Sequence, residues 1–390
     1  MGAGSDRPLL GQFPRRASSL HACPLLEPAA PASRNRQAAP GAGDGDRAKL
    51  SGGAEAGGVA ASRAPVRVVW VLCALWLLVS AAPAVARSER TVALTFDDLP
   101  YAGEAANSVG MSSAEVAALN AKLLDALRVH QAPATGFVVE KTLEALALGD
   151  REAVLDGWTR DGFELGNHTW SHADSNQLSL DEVEAEIVRG EASIRPAMAR
   201  AGKPLRYLRM PMNHTGDTAG KREGVEAVAA RHGYVLAAST IDTSDYVFEA
   251  AYQRALGQAD EVCAARIADA YVAYSAVEID YYAGLNARVL GRAPAEVALL
   301  HLNRINVDTL ERLLGLYAAR GYRFVSLSEA QSDPAYGRPA TFATRFGPMW
   351  GYRWARELGV RVNGAEEAEP PAWVAAYGEA ADAPCAATAV

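Results

Sequence analysis

Cysteine is scarce in this 390-residue chain: there are four, with no CxxC pair and no spacing of the kind that holds a metal. A cysteine-built metal site is therefore excluded. Positive charge is also short, 38 Lys and Arg against 46 Asp and Glu, for a formal net charge of −8. Nucleic acid wants a basic stripe, so no such partner is expected. The apolar run Val68–Val79 falls short of the ~20 residues that a membrane span needs. What the chain does have is apolar bulk: 49% of its residues are hydrophobic, enough for a sizeable core.

Residues 1–62 differ in kind from the rest. Ala, Gly, Pro, Ser and Arg dominate, no hydrophobic period can be traced, and disorder is expected. Arg63, Arg67, the apolar run and Ala84-Val85-Ala86 then follow in the order of a secretory signal: positive n-region, h-region, small-residue cleavage site. Residues 63–86 read as that signal, with a mature chain from about Arg87 and an exported product, periplasmic or extracellular. A signal stands at a chain's start, so the true start is expected near Val66, with Met1–Ser62 a misplaced upstream extension. The membrane is then met only in transit; the alternative is an uncleaved signal that anchors the protein. Cys23 and Cys73 precede the cleavage point, and Cys73 lacks the small-residue run of a lipid-modified cysteine. Cys263 and Cys385 remain, to pair in an oxidising compartment or to stay free.

From residue 91 strands and helices alternate. Strand-like runs fall at Thr91–Phe96, Thr135–Val139, Phe163–Gly166, Leu205–Met210, Tyr234–Thr240, Val297–Leu302 and Phe324–Leu327. Helical stretches such as Ser113–His130, Leu180–Arg200, Lys221–His232 and Asp308–Arg320 lie between them, and Gly202, Gly233 and Gly321 each follow one, where a left-handed C-cap is wanted. Short apolar strands alternating with helices mean a parallel α/β sheet, and seven units suggest closure into a barrel spanning residues 87–330. The longest insertion, Tyr246–Pro294, reads as helix. Its Tyr271, Tyr274, Ile279 and Tyr282 are expected to pack on the barrel, the alternative being a wall beside a substrate groove. Residues 331–362, rich in Pro, Tyr and Trp, are expected to pack across the barrel, and 363–390 to fray.

The polar residues collect where the apolar runs end. The first run stops at Asp97-Asp98, two acids that repel each other unless a cation or donors stand near. In extended chain they point to opposite faces, so they can hold different jobs. After the third run come His168 and His172, whose i, i+4 spacing on a helical turn lets both imidazoles grip one ion. The pair lacks the built-in Glu of HExxH, and Asp97 or Asp98 can supply the third ligand and the base. Arg209 ends the fourth run, Asp242 and Asp245 the fifth, His301 the sixth. Functional residues of parallel barrels gather at that face, because the loops after the strands converge there. The glycosylation-type triplets at Asn167 and Asn213 fall inside these motifs and are read as accidental.

In their order, TFDD, HTWSH, RMP, DTSDY and LLH resemble the five motifs of the polysaccharide deacetylases, the NodB-homology group of carbohydrate esterase family 4, over about residues 91–330. The resemblance implies a distorted seven-stranded β/α barrel, NodB-like and related to the TIM barrel. It implies a hydrolase that removes acetyl groups, usually N-acetyl, from a saccharide with the help of one divalent ion, Zn²⁺ in the first place and Co²⁺, Ni²⁺ or Mn²⁺ otherwise. Carried over position by position, it makes Asp97 the general base and Asp98, His168 and His172 the metal ligands. Arg209 would pair with Asp97, the backbone N–H of Met212 would face the oxyanion, and His301 would be the general acid. Asp245 would orient His301, with Asp242 the runner-up.

Two positions depart from the family pattern. Met212 stands where an aromatic residue usually follows the proline, and Tyr246 where Trp is common. Both shape the groove, so the substrate is left open. His214 has no fixed role in the pattern and either lines the groove or hydrogen-bonds its neighbours. The rival readings are an amidase or esterase acting on a small non-sugar acyl compound, and a glycan-binding homologue that has lost turnover.

Overall fold

The run from Val92 to Phe96 has no charged residue in it, and it becomes the strand on which the others assemble. In the computed structural model, which describes residues 89–102, 111–339 and 341–386, β1 (Arg90–Leu99) is paired on both edges. The N-terminal extension, the signal segment and the expected cleavage point lie outside the described residues. One face of β1 carries Val92, Leu94 and Phe96 into the layer between sheet and helices, while Ala93, Thr95 and Asp97 share the opposite face. Apolar residues on both faces are what a buried parallel strand needs.

Along the chain follow α1 (Ser113–Val129), β2 (Ala134–Val138), α2 (Glu140–Glu144), α3 (Leu148–Trp158), β3 (Glu164–Asn167), α4 (Leu180–Arg189), α5 (Ile194–Arg200), β4 (Tyr207–Leu208) and α6 (Ala219–Arg231). Then come β5 (Val235–Leu236), β6 (Ile241–Asp242), α7 (Asp245–Gly257), α8 (Glu261–Leu290), β7 (Glu296–His301), α9 (Arg304–Ala319), β8 (Tyr322–Val325), α10 (Leu327–Ala330), α11 (Trp350–Glu357) and α12 (Ala372–Glu379). Ser112 with Glu115 and Ser179 with Glu182 form reciprocal capping boxes that start α1 and α4.

Every strand pairing is parallel, in the order β5-β4-β3-β2-β1-β7-β6. β8 pairs with the first residues of β1, on the edge that β2 takes from Leu94 onward. The fold is the distorted β/α barrel, with one change in the count. The stretch expected as a fifth strand breaks into β5, on β4, and β6, on β7, and among the described residues no ladder joins the two. Gln331 holds the β5 side of that seam, accepting from the Ala238 N–H and donating to the Leu236 carbonyl. The expected single helix over 180–200 also breaks, at Gly190. A Cβ there would lie 2.5 Å from Asn167 Oδ1 and 2.6 Å from the Thr169 carbonyl carbon, so the glycine lets this helix approach the loop after β3.

The insertion is helical throughout α7 and α8. Tyr271, Tyr274, Ile279 and Tyr282 are buried, which is the packing role rather than the groove wall. The expectation that residues beyond 363 fray is corrected up to 386. Val374 and Tyr377 of α12 are buried against Phe248, Ala251 and Ile267 of α7 and α8, and Arg254 donates to the carbonyls of Tyr377, Ala380 and Ala381. Cys263 and Cys385 are disulfide-bonded. Small-residue composition suggested a loose tail, but a cross-link and two anchoring side chains hold this one. Cys385→Ser should therefore lower the unfolding free energy by about 2–5 kcal/mol and expose α12 to proteolysis first; denaturant titration with limited proteolysis reads both.

Candidate active site

The register of β1 against β7 sets Asp97 directly beside His301. Period-two geometry then puts Thr95 on the same face as Asp97, where Arg209 arrives from the end of β4. Arg209 is 1% exposed. One of its terminal nitrogens donates to Asp97 Oδ1 and Thr95 Oγ1, both at 2.7 Å, and the other to the Ala238 carbonyl at 2.8 Å. Its guanidinium lies 4.5 Å from the centre of the Phe137 ring. Asp97 is thus held through one oxygen, leaving Oδ2 turned toward His168, 3.8 Å from its Nε2.

Asp98 adopts a left-handed backbone (φ 62°), which turns its carboxylate away from the path of β1. Its Oδ1 lies 3.3 Å from His168 Nε2 and 3.2 Å from His172 Nε2, is buried, and accepts no well-formed hydrogen bond. The side chain as a whole is 24% exposed. Burial pushes the Asp98 carboxyl up, but His172, His168 and His301 overcome this and hold it well below the usual carboxylate range. Burial pushes His172 down, toward the neutral imidazole. His168 Nδ1 lies 2.7 Å from the Arg209 carbonyl. That contact assigns the ring proton to Nδ1 and leaves the lone pair on Nε2, facing Asp98.

One carboxylate oxygen and two imidazole nitrogens within 4.8 Å of one another, the oxygen without a hydrogen bond, form a donor set that fits a divalent cation. Three protein ligands leave a position open, as a catalytic zinc site requires. The set is hard enough for several first-row ions, so the donors do not name one.

His301 faces the same space. Its Nδ1 lies 2.7 Å from Asp245 Oδ1, and its backbone N–H donates to Asp245 Oδ2 at 2.7 Å. Asn306 also donates to Asp245 and to the His301 carbonyl. Burial lowers the His301 pKa, but the charge and hydrogen bond of Asp245, with Asp98 and Asp97 adding, raise it to about 10. Burial raises Asp245, and His301 holds it below its ordinary value. Asp242 is drawn off by another partner: its Oδ1 accepts from the Ser244 N–H at 2.8 Å, and burial pushes its pKa up to about 6. Of the two acids considered for orienting His301, Asp245 makes the contact.

Tyr246 stands edge-on to His301, ring centres 6.5 Å apart, and is 42% exposed. Met212 has φ 56° and ψ 18°. In its turn the Asn213 and His214 N–H groups donate to the Met210 and Pro211 carbonyls, and the Met212 N–H is paired with no acceptor among the described residues. His214 hydrogen-bonds Asp174 at 2.8 Å rather than joining the metal donors. Of the nine non-glycine residues with positive φ among the described residues, six (Asp98, Thr169, His172, Met212, Asn213 and Ser244) sit in these loops. Each costs on the order of 1–2 kcal/mol for an L residue, and such strain concentrates where a backbone is bent for function.

Residues 84–236 match the family described as polysaccharide deacetylase. Among curated relatives, a chitooligosaccharide deacetylase of Sinorhizobium fredii is 29% identical over 141 residues, 35% of this chain and 55% of that one. Chitin deacetylases of Pestalotiopsis sp and Colletotrichum lindemuthianum are 28% and 25% identical, covering 40% and 62% of this chain and 43% and 79% of theirs. The chain thus spans about half the length of the first two. Solved structures that resemble it include the peptidoglycan deacetylase PdaC of Bacillus subtilis, at 20% identity and TM-score 0.40, covering 63% of this chain and 91% of that one. A family 4 carbohydrate esterase pseudoenzyme of Bacillus anthracis is 16% identical at TM-score 0.41, covering 62% and 66%.

The polysaccharide deacetylase match takes in Asp97, Asp98, His168, His172 and Arg209, while Asp245 and His301 lie beyond it. The fold brings the two groups together through β1 and β7. Sequence reasoning missed Thr95 and Asn306. Thr95 was within reach, being two residues before Asp97 and so on the same face. Asn306 sits in the first turn of the helix after His301, where a side chain can reach back to the strand end, but nothing in its local spacing marks it. The donor set should bind one divalent ion per chain, and His168→Ala should weaken that binding by at least ~10²-fold, above the ~10–100-fold typical of losing an outer partner. Calorimetry with Zn²⁺ checks both numbers.

Proposed function

We propose that this protein is an exported hydrolase that removes acetyl groups, N-acetyl by preference, from an oligomeric or polymeric saccharide. The observation that carries it is the pairing of Asp97 with His301 across β1 and β7, beside the Asp98–His168–His172 donors: a base and an acid flank one cation site. The names of the relatives, chitin and chitooligosaccharide deacetylases, favour an N-acetylglucosamine-type substrate. The half-exposed ring of Tyr246 offers a face for a sugar. The order of the segment 63–86 favours export, and the disulfide agrees with an oxidising compartment.

Asp98, His168 and His172 would hold one divalent ion, with Zn²⁺ the first choice and Co²⁺, Ni²⁺ or Mn²⁺ the alternatives, and it would supply Lewis acidity by acidifying a water toward pKa ~7 and polarising the acyl carbonyl. Asp97 takes the proton from the attacking water, and Arg209 holds that carboxylate by its hydrogen bond and aims it. The Met212 N–H donates to the oxygen on which negative charge develops; losing such a donor costs ~10²–10³ in rate. His301 gives its proton to the departing amine as the C–N bond breaks, leaving acetate and a free amino sugar. Asp245 keeps His301 protonated and turned toward the leaving nitrogen.

Acetate release from a panel of N- and O-acetylated saccharides, with residues 87–390 and with or without chelator, is the test. Release that needs metal and falls by ~10²–10⁴ in Asp97→Asn is expected. Metal-bound protein that releases acetate only from small non-sugar amides or esters would move the assignment to those compounds. pH profiles add a second check. The acid must be protonated to work, and the Asp245 charge raises the His301 pKa. Asp245→Asn should therefore shift the alkaline limb of kcat/KM to lower pH and leave the acid limb in place.

A further inference from the structure

The turn that carries Met212 is held from outside the family-matched segment. Arg353, on α11 in the C-terminal extension, is 1% exposed and donates to three neutral oxygens: the Asn213 carbonyl at 2.8 Å, Thr215 Oγ1 at 2.9 Å and the Pro348 carbonyl at 3.0 Å. Its guanidinium stacks 4.6 Å from the centre of the Trp350 ring. None of these hydrogen bonds goes to a carboxylate, and burial pushes the arginine down to about 10. A buried cation satisfied only by neutral acceptors is an expensive way to fasten a helix, since an apolar side chain would pack there more cheaply.

What it fastens is specific. A Cβ at Gly347 would lie 1.8 Å from the Met212 carbonyl oxygen, so the extension's backbone presses directly on that peptide. Asn213 donates to Ser239 Oγ at 3.0 Å, and the Trp350 N–H donates to the Ser239 carbonyl at 2.8 Å. The carbonyls of Met210, Pro211, Met212 and Asn213 are thus each hydrogen-bonded or packed, while the Met212 N–H has no acceptor among the described residues. Two consecutive left-handed residues, Met212 and Asn213, do not hold that shape on their own.

We infer that Arg353, with Gly347 beneath it, is a positioning residue for the hydrolytic step: it locks the Pro211–Thr215 turn so that the Met212 N–H stays aimed at the developing oxyanion. The inference rests on the deacetylase reading above, because it gives that N–H its task. It also makes residues 331–362 part of the active site rather than a cover for the barrel.

The experiment uses full-length, metal-loaded Arg353→Met and Arg353→Lys. For Arg353→Met, kcat on an N-acetylated chitooligosaccharide should fall ~10–100-fold, as expected for slight misplacement of a catalytic group. KM should stay within about threefold and metal content should match wild type. Lysine, able to reach one carbonyl, should restore part of kcat. Amide exchange should quicken at residues 212–215 and nowhere else in the barrel. Should Arg353→Met not fold, Gly347→Ala pushes on the same turn through the Met212 carbonyl and is expected to give the same split. Unchanged kcat overturns the inference, as does a loss that follows global exchange and metal content. If wild type releases no acetate from any saccharide, the deacetylase reading fails by itself. Exchange at 212–215 then still decides whether Arg353 holds the turn.

Discussion

Everything at the mouth of this barrel depends on where one guanidinium sits. Arg209 joins β4 to β1 through Thr95 and Asp97, reaches the seam through the Ala238 carbonyl, and through its own carbonyl fixes the tautomer of His168. Removing one partner from a buried pair of this kind leaves an uncompensated charge and costs about 3–5 kcal/mol. The same residue therefore serves stability and chemistry, and neither contribution can be separated by truncating it alone. Its position follows from local facts: period-two alternation puts Arg209 on the face of Tyr207, which packs with Ala93, and opposite that of Leu208.

The surroundings of His301 are built on the same plan with different parts. His301 is fixed by Asp245, and Asp245 in turn accepts from the His301 backbone, the His301 ring and Asn306. Tyr271 donates to Asn306 and shares a hydrogen bond with Thr243, so the long insertion helix ends up as the back wall of this network. Its buried tyrosines look like plain packing in the sequence. In space, Tyr271 supports Asn306, which supports Asp245 and through it His301.

Much of this was legible in the residues. Polar residues at successive strand ends pointed to one face. The two histidines pointed to one ion, but the helical turn expected to join them is absent: residues 168–172 are loop, and left-handed backbone at Thr169 and His172 brings the rings together instead. Those signals are local and survive any uncertainty about the fold. The choice of Asp245 over Asp242 turned on a single backbone hydrogen bond at Ser244, which no spacing rule reports. Arg353 was illegible for a deeper reason: it lies more than a hundred residues from the turn it touches, in a segment whose composition suggested only packing. The split of the fifth strand was hidden as well, since Val235–Leu236 and Ile241–Asp242 are separated by small and polar residues that fit extended chain equally well. The tail was misread because composition cannot reveal a cross-link.

The pairing of β1 with β7 has a consequence for how such a protein can be divided. The donor set, Asp97 and Arg209 all fall before residue 236, so a shortened chain would keep Asp98, His168 and His172 together. It would lack the strand that covers one whole edge of β1, from Val92 to Asp97. An uncovered apolar edge in the middle of a sheet recruits other chains. Half of the protein would then be a sticky sheet edge beside an intact donor set, and His301 and the protection of the sheet are delivered by the same six residues.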